Sequence, residues 1–414
     1  MAVLQHEDPE IACLVHKEAR RLEETLDLIA AENHSPPAIM EVLGSVFNTK
    51  TIEGYPGKRY HAGCVNADAV ERLAISRAKA LFKAGHANVQ PHSGTSANLG
   101  VYFSILDIGD KILSMTLSHG GHLSHGHPVS IAGKCFKIQH YGVDQNTGLI
   151  DYDTLAFCAK TFKPRLIVAG ASSYPRLIDY EKIAGAAASI GAYFMVDMAH
   201  IGGLVAAGVI PSPVPSADFV TLTCYKTMMG GRGGVILCRK RFAKQIDTSV
   251  FPGCQGTSAV NGIAAKAVIL KMAMGKPFAA LQEKTIRTAR ALSEQFIKKG
   301  YPVLTNGTDT HQVIINVASR GADAGLVEKV LESSNIILNR NILPGDEQRS
   351  GMVSGIRMGT AAMVARGMGP AETDLVADLI DRVISHATLP HVIRSVKKEV
   401  VSLCHRFPVY PASL

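Results

Sequence analysis

The sequence predicts an α/β protein with a mainly parallel sheet, and two observations carry this prediction. The first is a set of short runs rich in branched apolar residues, which is typical of strands buried on both faces of a sheet. These runs are RLIVAGAS (165–172), YFMVDMAH (193–200), FVTLTCYK (219–226) and GVILCRK (234–240). The second is a set of helical stretches between some of them, such as YEKIAGAAASIG (180–191). Strands that alternate with helices indicate a parallel sheet covered by helices.

The rest of the chain divides around this sheet. Residues 8–31 put charges on one helical face and apolar side chains on the other, which predicts a helix. Residues 48–64 are rich in glycine and polar groups and are interpreted as a loop. From about residue 281 the chain changes to longer charged helices, LQEKTIRTARALSEQFIKKG and GPAETDLVADLIDRVISH, with a few strands between them. We therefore expect an N-terminal helical arm (1–30), a large domain (31–280) and a small α+β C-terminal domain (281–414).

Composition and charge argue against several classes of protein. Hydrophobic residues make up 47% of the 414 residues and charged residues 19%, the balance of an ordinary globular protein. None of the eight cysteines forms a CxxC pair, so neither a zinc ribbon nor a disulfide framework is expected, and a cytoplasmic setting fits best. No apolar run reaches the ~20 residues of a membrane span. The net charge of +8 is spread along the chain, which favours small anionic ligands over nucleic acid.

Polar side chains end three of the predicted strands. Asp197 closes one strand, Lys226 closes another, and Ser172 stands at the end of a third. Ligands collect at the carboxyl ends of parallel strands, so a carboxylate and a lysine there can face one ligand. A buried lysine can be nucleophilic toward a carbonyl, and a buried aspartate can hold a proton on a pyridine nitrogen. Pyridoxal phosphate requires both groups.

A phosphate-bearing cofactor also needs an anion site, and the stretch HSGTSAN (92–98) offers one. Ser93, Gly94 and Thr95 come just before an apolar helical stretch. Small hydroxyl groups and backbone N–H groups at the start of a helix bind anions. Because such clusters also mark ordinary turns, this prediction depends on the presence of Asp197 and Lys226.

Four histidines lie close together in LSHGGHLSHGHP, at positions 119, 122, 125 and 127. No neighbouring cysteine or carboxylate in the sequence completes a ligand set, so no metal is expected. The preferred interpretation of His122 is an imidazole stacked on an aromatic cofactor, and that of the others is polar loop packing. Arg357, in SGIRMG, can grip a carboxylate through two parallel hydrogen bonds, and the alternative is a surface arginine.

These residues resemble the serine hydroxymethyltransferase family, pyridoxal-phosphate enzymes of the aspartate-aminotransferase-like fold. The similar motifs follow the family's order over nearly the whole chain. They are LIAAEN, EGYPGKRY, ANVQPHSGTSAN, LSHGGHLSHG, YGVDQNTGLIDYD, VDMAHIGGLVAAG, KTMMGGRGG, VFPGCQG and SGIRMGT. The resemblance implies PLP fold type I, with a mainly parallel seven-stranded sheet in the large domain and a small α+β C-terminal domain.

The resemblance also implies roles for the matched residues, with Lys226 as the Schiff-base lysine. The catalytic residues that the resemblance implies are Lys226, Asp197 at the pyridinium nitrogen, His122 on the ring, Glu53 as acid/base group and Tyr60. His61 and Tyr225 are further catalytic candidates, because they stand at pocket positions where the family has other residues. The implied cofactor contacts are Ser93, Gly94 and Thr95 at the phosphate, and also His122, Ser172, Asp197, His200, Thr223, Lys226 and Gly256. Thr51 and Thr257 are further candidates at positions where the family has other residues. The implied substrate contacts are Arg357 at the carboxylate, Glu53, Tyr60 and His61, with Asn341, Leu117, Gly121 and Leu123 at the pterin.

The implied reaction belongs to amino-acid and one-carbon metabolism. It cleaves or forms the Cα–Cβ bond of a β-hydroxy amino acid such as serine through an external aldimine, with tetrahydrofolate as the one-carbon acceptor. In this family the site is shared across a dimer, and Glu53, Tyr60 and the GCQG loop (253–256) come from the partner subunit. The resemblance therefore implies a homodimer or a dimer of dimers, without nucleic acid or membrane as a partner.

Several positions around the implied pocket depart from the family pattern. Tyr225 stands where the family has histidine, and Ala31 replaces a serine near the substrate carboxylate. Further departures are Thr51 and His61 for tyrosines, Val65 for an acidic residue, QGTS (255–258) for QGGP, and Asn261 for a histidine. The loss of a donor to a buried charge costs ~1.5–3 kcal/mol, so several such losses should impair an unchanged reaction.

A repurposed family member is therefore the alternative to an ordinary hydroxymethyltransferase. It would be an aldolase or transaldolase, an α-methylserine hydroxymethyltransferase, or an antibiotic-biosynthesis enzyme that performs β-elimination or decarboxylative deamination. Such an enzyme would act on a different amino acid without folate. The presence of Lys226 argues against a purely non-enzymatic role.

Overall fold

The computed structural model describes residues 2–346 and 353–410. These residues form two compact units. The sheet unit comprises residues 35–283 and 344–346, and the terminal unit comprises residues 2–34, 284–343 and 353–410. The domain boundaries expected near residues 30 and 280 stay predictions, and residues 1, 347–352 and 411–414 of the expected domains lie outside the described residues.

The secondary structure elements are numbered in chain order. The strands are β1 Leu26–Asp27, β2 Gly54–Tyr55, β3 Lys58–Arg59, β4 His86–Asn88, β5 Lys111–Met115, β6 Lys137–Tyr141, β7 Leu166–Ala169, β8 Tyr193–Asp197, β9 Phe219–Thr223, β10 Gly234–Cys238, β11 Gln312–Asn316, β12 Ile336–Ile337, β13 Asn339–Asn341 and β14 Gly355–Gly359. The helices are α1 Ala2–Glu7, α2 Pro9–Glu24, α3 Pro37–Leu43, α4 Val65–Phe82, α5 Gly94–Ile105, α6 Ile131–Cys135, α7 Tyr152–Phe162, α8 Tyr180–Ser189, α9 Gly202–Ala206, α10 Ala243–Thr248, α11 Val260–Ala273, α12 Lys276–Lys298, α13 Ala324–Ser333, α14 Ala361–Ala365, α15 Thr373–Ser385 and α16 Pro390–Arg406.

Seven strands of the sheet unit form one sheet in the order β4-β10-β9-β8-β7-β5-β6. β9, β8, β7, β5 and β6 run parallel, and β10 is antiparallel to both of its neighbours. Every residue of β7, β9 and β10 is buried, as expected for strands with helices on both faces. The predicted α/β fold with a mainly parallel seven-stranded sheet is therefore confirmed.

Helix α5 packs on this sheet through a continuous apolar core. Ala97 and Val101 of α5 belong to the same buried cluster as Phe219 of β9 and Ile236 of β10. Gly100 allows the close approach, since a Cβ there would lie 3.1 Å from Ile236 Cδ1. Burial of this kind contributes ~25 cal/mol per Å² of apolar surface. The packing therefore fixes the N-terminus of α5 beside the strand ends.

The terminal unit has an α+β architecture. β11, β14 and β13 form an antiparallel sheet, and β1 pairs in parallel with β12. Helices α12, α13, α15 and α16 contribute to one apolar core with these strands. Arg366 donates to the backbone oxygens of Thr25 at 2.7 Å and Cys404 at 3.1 Å, so a buried guanidinium ties the N-terminal segment to α16.

The structure corrects three details of the predicted elements. The helix expected over 8–31 ends at Glu24, because Leu26 and Asp27 pair with β12. The segment 48–64 is not only a loop, since β2 and β3 pair as a short hairpin. The strand expected over 219–226 ends at Thr223, so Lys226 lies in the turn that follows. None of the described helices combines the length and the hydropathy that a bilayer crossing requires.

Candidate active site

A cavity of the sheet unit lies where β7, β8 and β9 end. Its walls come from the residues that follow these strands, from the start of α5 and from a histidine-bearing loop. The lining residues are Ser93, Gly94, Thr95, His122, His125, Ala171, Ser172, Asp197, Ala199, His200, Thr223, Tyr225 and Lys226. Most of the cofactor contacts expected from the sequence are therefore brought together in one chain.

The N-terminus of α5 forms the wall suited to an anion. The Ser93 hydroxyl accepts from the Ser96 N–H at 3.1 Å, and the Ser96 hydroxyl accepts from the Ser93 N–H at 2.8 Å. This reciprocal cap defines the first turn of the helix. Gly94 and Thr95 follow the cap, and the first N–H groups of a helix have no partner inside it. The helix dipole adds positive potential at the same point.

Asp197, the last residue of β8, is fixed by three donors. Its Oδ2 accepts from Asn98 Nδ2 at 2.8 Å and from His125 Nε2 at 3.0 Å, and its Oδ1 accepts from the Ala199 N–H at 2.9 Å. Burial alone raises the pKa of Asp197, but the bond and charge of His125 and the bond of Asn98 outweigh it. The pKa of Asp197 is therefore well below its usual value, and the carboxylate is ionised.

The side chain of Asn98 connects Asp197 to His122. Asn98 Oδ1 accepts from the Thr221 hydroxyl at 2.7 Å, and Asn98 Nδ2 also donates to the Ser124 hydroxyl at 2.9 Å. The Ser124 hydroxyl lies 2.7 Å from His122 Nδ1, which also accepts from the Ser124 N–H at 3.1 Å. Since Nδ1 is an acceptor, the proton of the neutral His122 ring is on Nε2.

The electrostatic surroundings keep His122 neutral. Burial, assisted by the neighbouring His125, lowers the pKa of His122 to about 4. The two imidazole rings meet edge to face, with centroids 5.6 Å apart. A neutral, flat ring at the cavity wall is suited to contact an aromatic ligand through its face.

Lys226 and Tyr225 lie together in the turn after β9. Lys226 is 7% exposed, and its carbonyl accepts from the Met229 N–H at 2.9 Å. Met229 has a φ of +63°, in the left-handed region, so the chain turns sharply behind the lysine. The Arg232 guanidinium stacks over the Tyr225 ring at 4.6 Å from its centroid. The cavity therefore presents an amine beside a phenol.

The remaining expected cofactor contacts of the cavity are held by backbone hydrogen bonds. The Ser172 N–H donates to the Gly120 carbonyl at 2.7 Å, and the Thr223 hydroxyl donates to the Ala199 carbonyl at 3.2 Å. The His200 carbonyl accepts from the Thr227 hydroxyl at 2.8 Å. The residue that follows Lys226 thus links the ends of β8 and β9.

Other expected site residues of the sheet unit do not line this cavity. Those in and beside the β2–β3 hairpin are Thr51, Glu53, Tyr60 and His61. Tyr60 is 74% exposed and its ring lies edge-on to Phe251, with centroids 5.8 Å apart. Thr257 accepts from the Ile52 N–H at 2.7 Å through its hydroxyl. Gly256 is also outside the lining, so the roles expected for these residues stay predictions.

The residues expected at the substrate carboxylate and the pterin lie in two different units. Arg357 of β14 and Asn341 of β13 belong to the terminal unit, where Asn339 Oδ1 accepts from Arg357 Nε at 3.2 Å and from its Nη2 at 3.1 Å. Leu117, Gly121 and Leu123 belong to the sheet unit and lie in or between the 3₁₀ turns Leu117–His119 and Leu123–His125. Their roles also stay predictions.

Sequence reasoning missed His125, Asn98 and Ser124. It assigned His125 to loop packing, but the structure pairs this ring with Asp197. No carboxylate neighbours the histidines in the sequence, but the fold brings Asp197 to them, and ligand atoms of His122, His125 and Asp197 lie within 4.8 Å of one another. No signal in the sequence joins residues so far apart along the chain. The absence of a metal stays a prediction.

The donor set fits the expected pyridoxal phosphate. The cavity offers a helix N-terminus with hydroxyl groups for a phosphate, an ionised carboxylate for a protonated ring nitrogen and a lysine amine for an aldehyde. The neutral ring of His122 can face an aromatic ring without adding a charge. The three groups suit three different partners: an anion, a protonated ring nitrogen and a carbonyl carbon. A single ligand that carries a phosphate, a pyridine and an aldehyde provides all three.

Comparison with known families agrees with this chemistry. The family model for serine hydroxymethyltransferase matches residues 4–380, which is most of the chain. The match contains every residue of the cavity. The chain therefore belongs to the serine hydroxymethyltransferase family of pyridoxal-phosphate-dependent transferases.

Proposed function

We propose that this chain is a serine/glycine hydroxymethyltransferase that cleaves or forms the Cα–Cβ bond of a β-hydroxy amino acid, with tetrahydrofolate as the one-carbon acceptor. One observation supports the proposal most. A single cavity combines a helix N-terminus at Ser93 that is suited to an anion, an ionised carboxylate at Asp197 and the amine of Lys226. Pyridoxal phosphate, when bound, supplies an electron sink for the bond broken at Cα.

The groups of the cavity have separate tasks in this proposal. The Ser93 hydroxyl and the N–H groups of Gly94 and Thr95 bind the phosphate. Asp197 accepts a hydrogen bond from the protonated pyridine nitrogen and keeps the proton there, because His125 and its other donors hold the carboxylate ionised.

The remaining cofactor contacts orient the ring. His122 covers one face of the ring as a neutral imidazole, since its pKa of about 4 keeps it uncharged at neutral pH. Ser172, His200 and Thr223 bind the ring hydroxyl and its surroundings. Lys226 supplies the amine that holds the cofactor through its aldehyde carbon.

The substrate carboxylate binds to Arg357. Burial lowers the pKa of Arg357 to about 10, which leaves the guanidinium charged at neutral pH. Both Asn339 contacts fix its orientation, so less side-chain entropy is lost when a carboxylate binds. Glu53 acts as the acid/base group at the substrate hydroxyl, with Tyr60 and His61 beside it.

The 3₁₀ turns of the sheet unit offer a surface suited to the pterin of tetrahydrofolate. Leu117 and Leu123 are 39% and 50% exposed, so each presents apolar surface to solvent. Gly121 between them has no space for a side chain, since a Cβ there would overlap the Met115 carbonyl oxygen. A flat aromatic ligand can therefore approach the backbone at this point.

A homodimer with shared sites completes the proposal. Glu53, Tyr60 and His61 lie outside the lining of their own chain's cavity, and exposed apolar residues in the same stretch of the sequence suit an interface. Tyr60 is 74% exposed, Val65 80% and Val46 83%. The hairpin of each subunit then supplies these residues to the cavity of the other.

A repurposed pocket is the second candidate, and Tyr225 is the observation that favours it. This phenol lines the cavity directly before Lys226, where the family has histidine, and Arg232 stacks on its ring. A phenol exchanges protons at a different pH from an imidazole. The altered residue therefore suits a related bond cleavage on another amino acid, without folate.

The test is a direct comparison of reactions with the purified holoenzyme. Serine with tetrahydrofolate, serine alone, and a set of β-hydroxy and α-methyl amino acids without folate are incubated, and glycine, aldehyde and folate products are quantified. We expect serine to give equimolar glycine and methylene-tetrahydrofolate, with at least a tenfold lower rate when folate is omitted.

Two outcomes would contradict the proposal. If another amino acid reacts faster than serine and folate has no effect, the repurposed pocket is correct. The variant Tyr225→His then provides a second test. It should reduce the reaction of that amino acid and raise the turnover of serine with folate. If the holoenzyme converts none of these compounds, both candidates are wrong.

A further inference from the structure

Lys266 is a buried lysine outside the cavity described above. It lies in α11 and is 3% exposed. Its Nζ donates to the Val89 carbonyl at 2.6 Å and to the Pro91 carbonyl at 2.9 Å. Burial of an ammonium group without a directly bonded carboxylate costs free energy. The position therefore suggests a task that an apolar residue could not perform.

The Gln90 carbonyl, between those of Val89 and Pro91, accepts hydrogen bonds from side chains that are distant in the sequence. The Gln90 carbonyl accepts from Gln255 Nε2 at 2.9 Å and from the Ser258 hydroxyl at 2.8 Å. The Pro91 carbonyl accepts in addition from the Gly234 N–H at 3.0 Å. Three successive carbonyl groups thus accept hydrogen bonds from later parts of the chain, immediately before the cap of α5.

The segment before β10 is shaped around the same ammonium. A Cβ on Gly233 would overlap Lys266 Cε and would lie 2.8 Å from its Nζ. Gly233 also has a φ of +141°, which disfavours a side chain. Lys266 therefore lies between two backbone segments, and one of them leads directly to Ser93.

We infer that Lys266 is a positioning residue for the cofactor phosphate: it binds the carbonyl groups of residues 89–91 and so keeps the N–H groups at the start of α5 directed to the anion. This rests on the proposed function of Ser93, Gly94 and Thr95. Carbonyl oxygens repel an anion, so a segment free to rotate would weaken the site. The ammonium charge adds attraction, because charges act over longer distances where water is excluded.

The test compares two ligands that differ only in the phosphate. Pyridoxamine 5′-phosphate and pyridoxamine are titrated into the full-length chain freed of its cofactor, and dissociation constants are measured by calorimetry. Neither ligand carries an aldehyde, so Lys226 forms no covalent bond with them. The variant is Lys266→Met, and the matched control is Lys271→Met, an exposed lysine of the same helix.

We expect Lys266→Met to raise the dissociation constant of pyridoxamine 5′-phosphate by about 10- to 100-fold, which corresponds to ~1.4–2.8 kcal/mol. The dissociation constant of pyridoxamine should rise by less than about threefold. Lys271→Met should change the affinity for neither ligand, because the Lys271 side chain is exposed to solvent. An equal loss for both ligands would mean that Lys266 only supports the fold, and the inference would be wrong.

The variant Ser93→Ala separates the inference from the proposed function. If Ser93→Ala selectively weakens the phosphorylated ligand and Lys266→Met does not, the anion site is correct and the role of Lys266 is wrong. If neither substitution is selective, the phosphate does not bind at Ser93 and the inference fails with that assignment.

A measurement on the unchanged protein covers the case in which Lys266→Met does not fold. Burial lowers the pKa of Lys266 to about 8, against weaker opposing effects of Cys224 and of Glu71 in α4. Burial raises the pKa of the Cys224 thiol to about 11, and the phosphate stays doubly ionised above neutral pH. Arg77 of α4 also faces α11, since its guanidinium donates to the Ala267 carbonyl at 2.7 Å.

Lys266 therefore loses its charge between pH 7 and about 9.5. We expect the affinity ratio of pyridoxamine 5′-phosphate to pyridoxamine to fall about tenfold over this range. Titrations that affect binding of the ring and the amine change both affinities equally, so their effects cancel in the ratio. A ratio that does not change with pH would overturn the inference, because the charge state of Lys266 would then have no effect on phosphate binding.

Discussion

Asn98 connects Asp197 and His122, the carboxylate and the imidazole of the cavity, through hydrogen bonds. Its amide nitrogen donates to both Asp197 and Ser124, while its amide oxygen accepts from Thr221. Ser124 in turn fixes the tautomer of His122. All the hydrogen-bonding groups of this side chain that face the network are used, so its orientation is determined by its neighbours.

Replacement of Asn98 by alanine should destabilise the protein. The substitution leaves the buried Thr221 hydroxyl without its acceptor and removes a donor from the Asp197 carboxylate. We expect the free energy of unfolding in urea to fall by about 2–4 kcal/mol. The matched control Asn146→Ala, at an exposed position, should change it by less than about 0.5 kcal/mol. Equal effects of both variants would contradict the network.

The sequence predicts individual residues well when their chemistry is local. The expectation that Asp197 and Lys226 face the same space is confirmed, since both line one cavity, and it needed only the strand ends and the residue types. His125 and Lys266 could not be identified, since their partners are Asp197 and the backbone of residues 89–91. A hydrogen bond between distant segments has no periodicity, so pattern reasoning does not detect it.

The β2–β3 hairpin is anchored by buried ion pairs. Arg59 donates through Nε to Asp68 at 2.8 Å and through Nη2 to Glu71 at 2.5 Å, and both acidic residues belong to α4. Gln90 Nε2 donates to the other oxygen of Glu71 at 2.8 Å. Glu53 and Tyr60 flank this hairpin, so α4 determines the position from which both side chains project.

Glu71→Gln should loosen the hairpin and destabilise the sheet unit. Removal of one partner leaves the Arg59 guanidinium, whose side chain is 4% exposed, with one carboxylate fewer. We expect a loss of about 3 kcal/mol in the free energy of unfolding. Glu18→Gln is the control, because the Glu18–Arg21 pair lies at the surface and should contribute less than about 1 kcal/mol. If both variants lose the same stability, the hairpin is not anchored in this way.

Elements with strong periodicity were predicted better than short ones. The runs at 165–172 and 193–200 contain β7 and β8, although each strand ends earlier than expected. The β2–β3 hairpin was missed, because each strand has only two residues and is stabilised by Arg59 more than by an apolar pattern. β1 also has only two residues, and its partner strand begins at Ile336, so no local pattern predicts the pairing.

For the whole molecule, the proposed homodimer explains why the expected catalytic residues do not all meet within one chain. Lys226 and Asp197 line the cavity, whereas Glu53 and Tyr60 lie outside its lining. In a dimer with twofold symmetry, each subunit contributes its β2–β3 hairpin to the cavity of the other subunit. Each subunit alone would then bind the cofactor but lack an acid/base group.

Mixing of two inactive variants tests this arrangement. Lys226→Ala and Glu53→Gln should each abolish turnover as homodimers. After the two are unfolded together and refolded, hybrid dimers contain one site with both residues intact, and about a quarter of the wild-type activity should return. Refolding of each variant alone is the control. If the mixture stays inactive while hybrid dimers form, Glu53 and Lys226 act from the same chain.

The pairing of β4 has a consequence for synthesis on the ribosome. β4 comes first along the chain among the strands of the large sheet, but its partner there is β10, where Ile236 lies opposite Asn88. Contacts between segments so far apart in sequence form slowly, because a long loop must close first. A nascent chain shorter than residue 238 therefore holds β4 and the turn to α5 without their support. We therefore expect the start of α5, where the phosphate site is proposed, to reach its final position only after β10 has paired with β4.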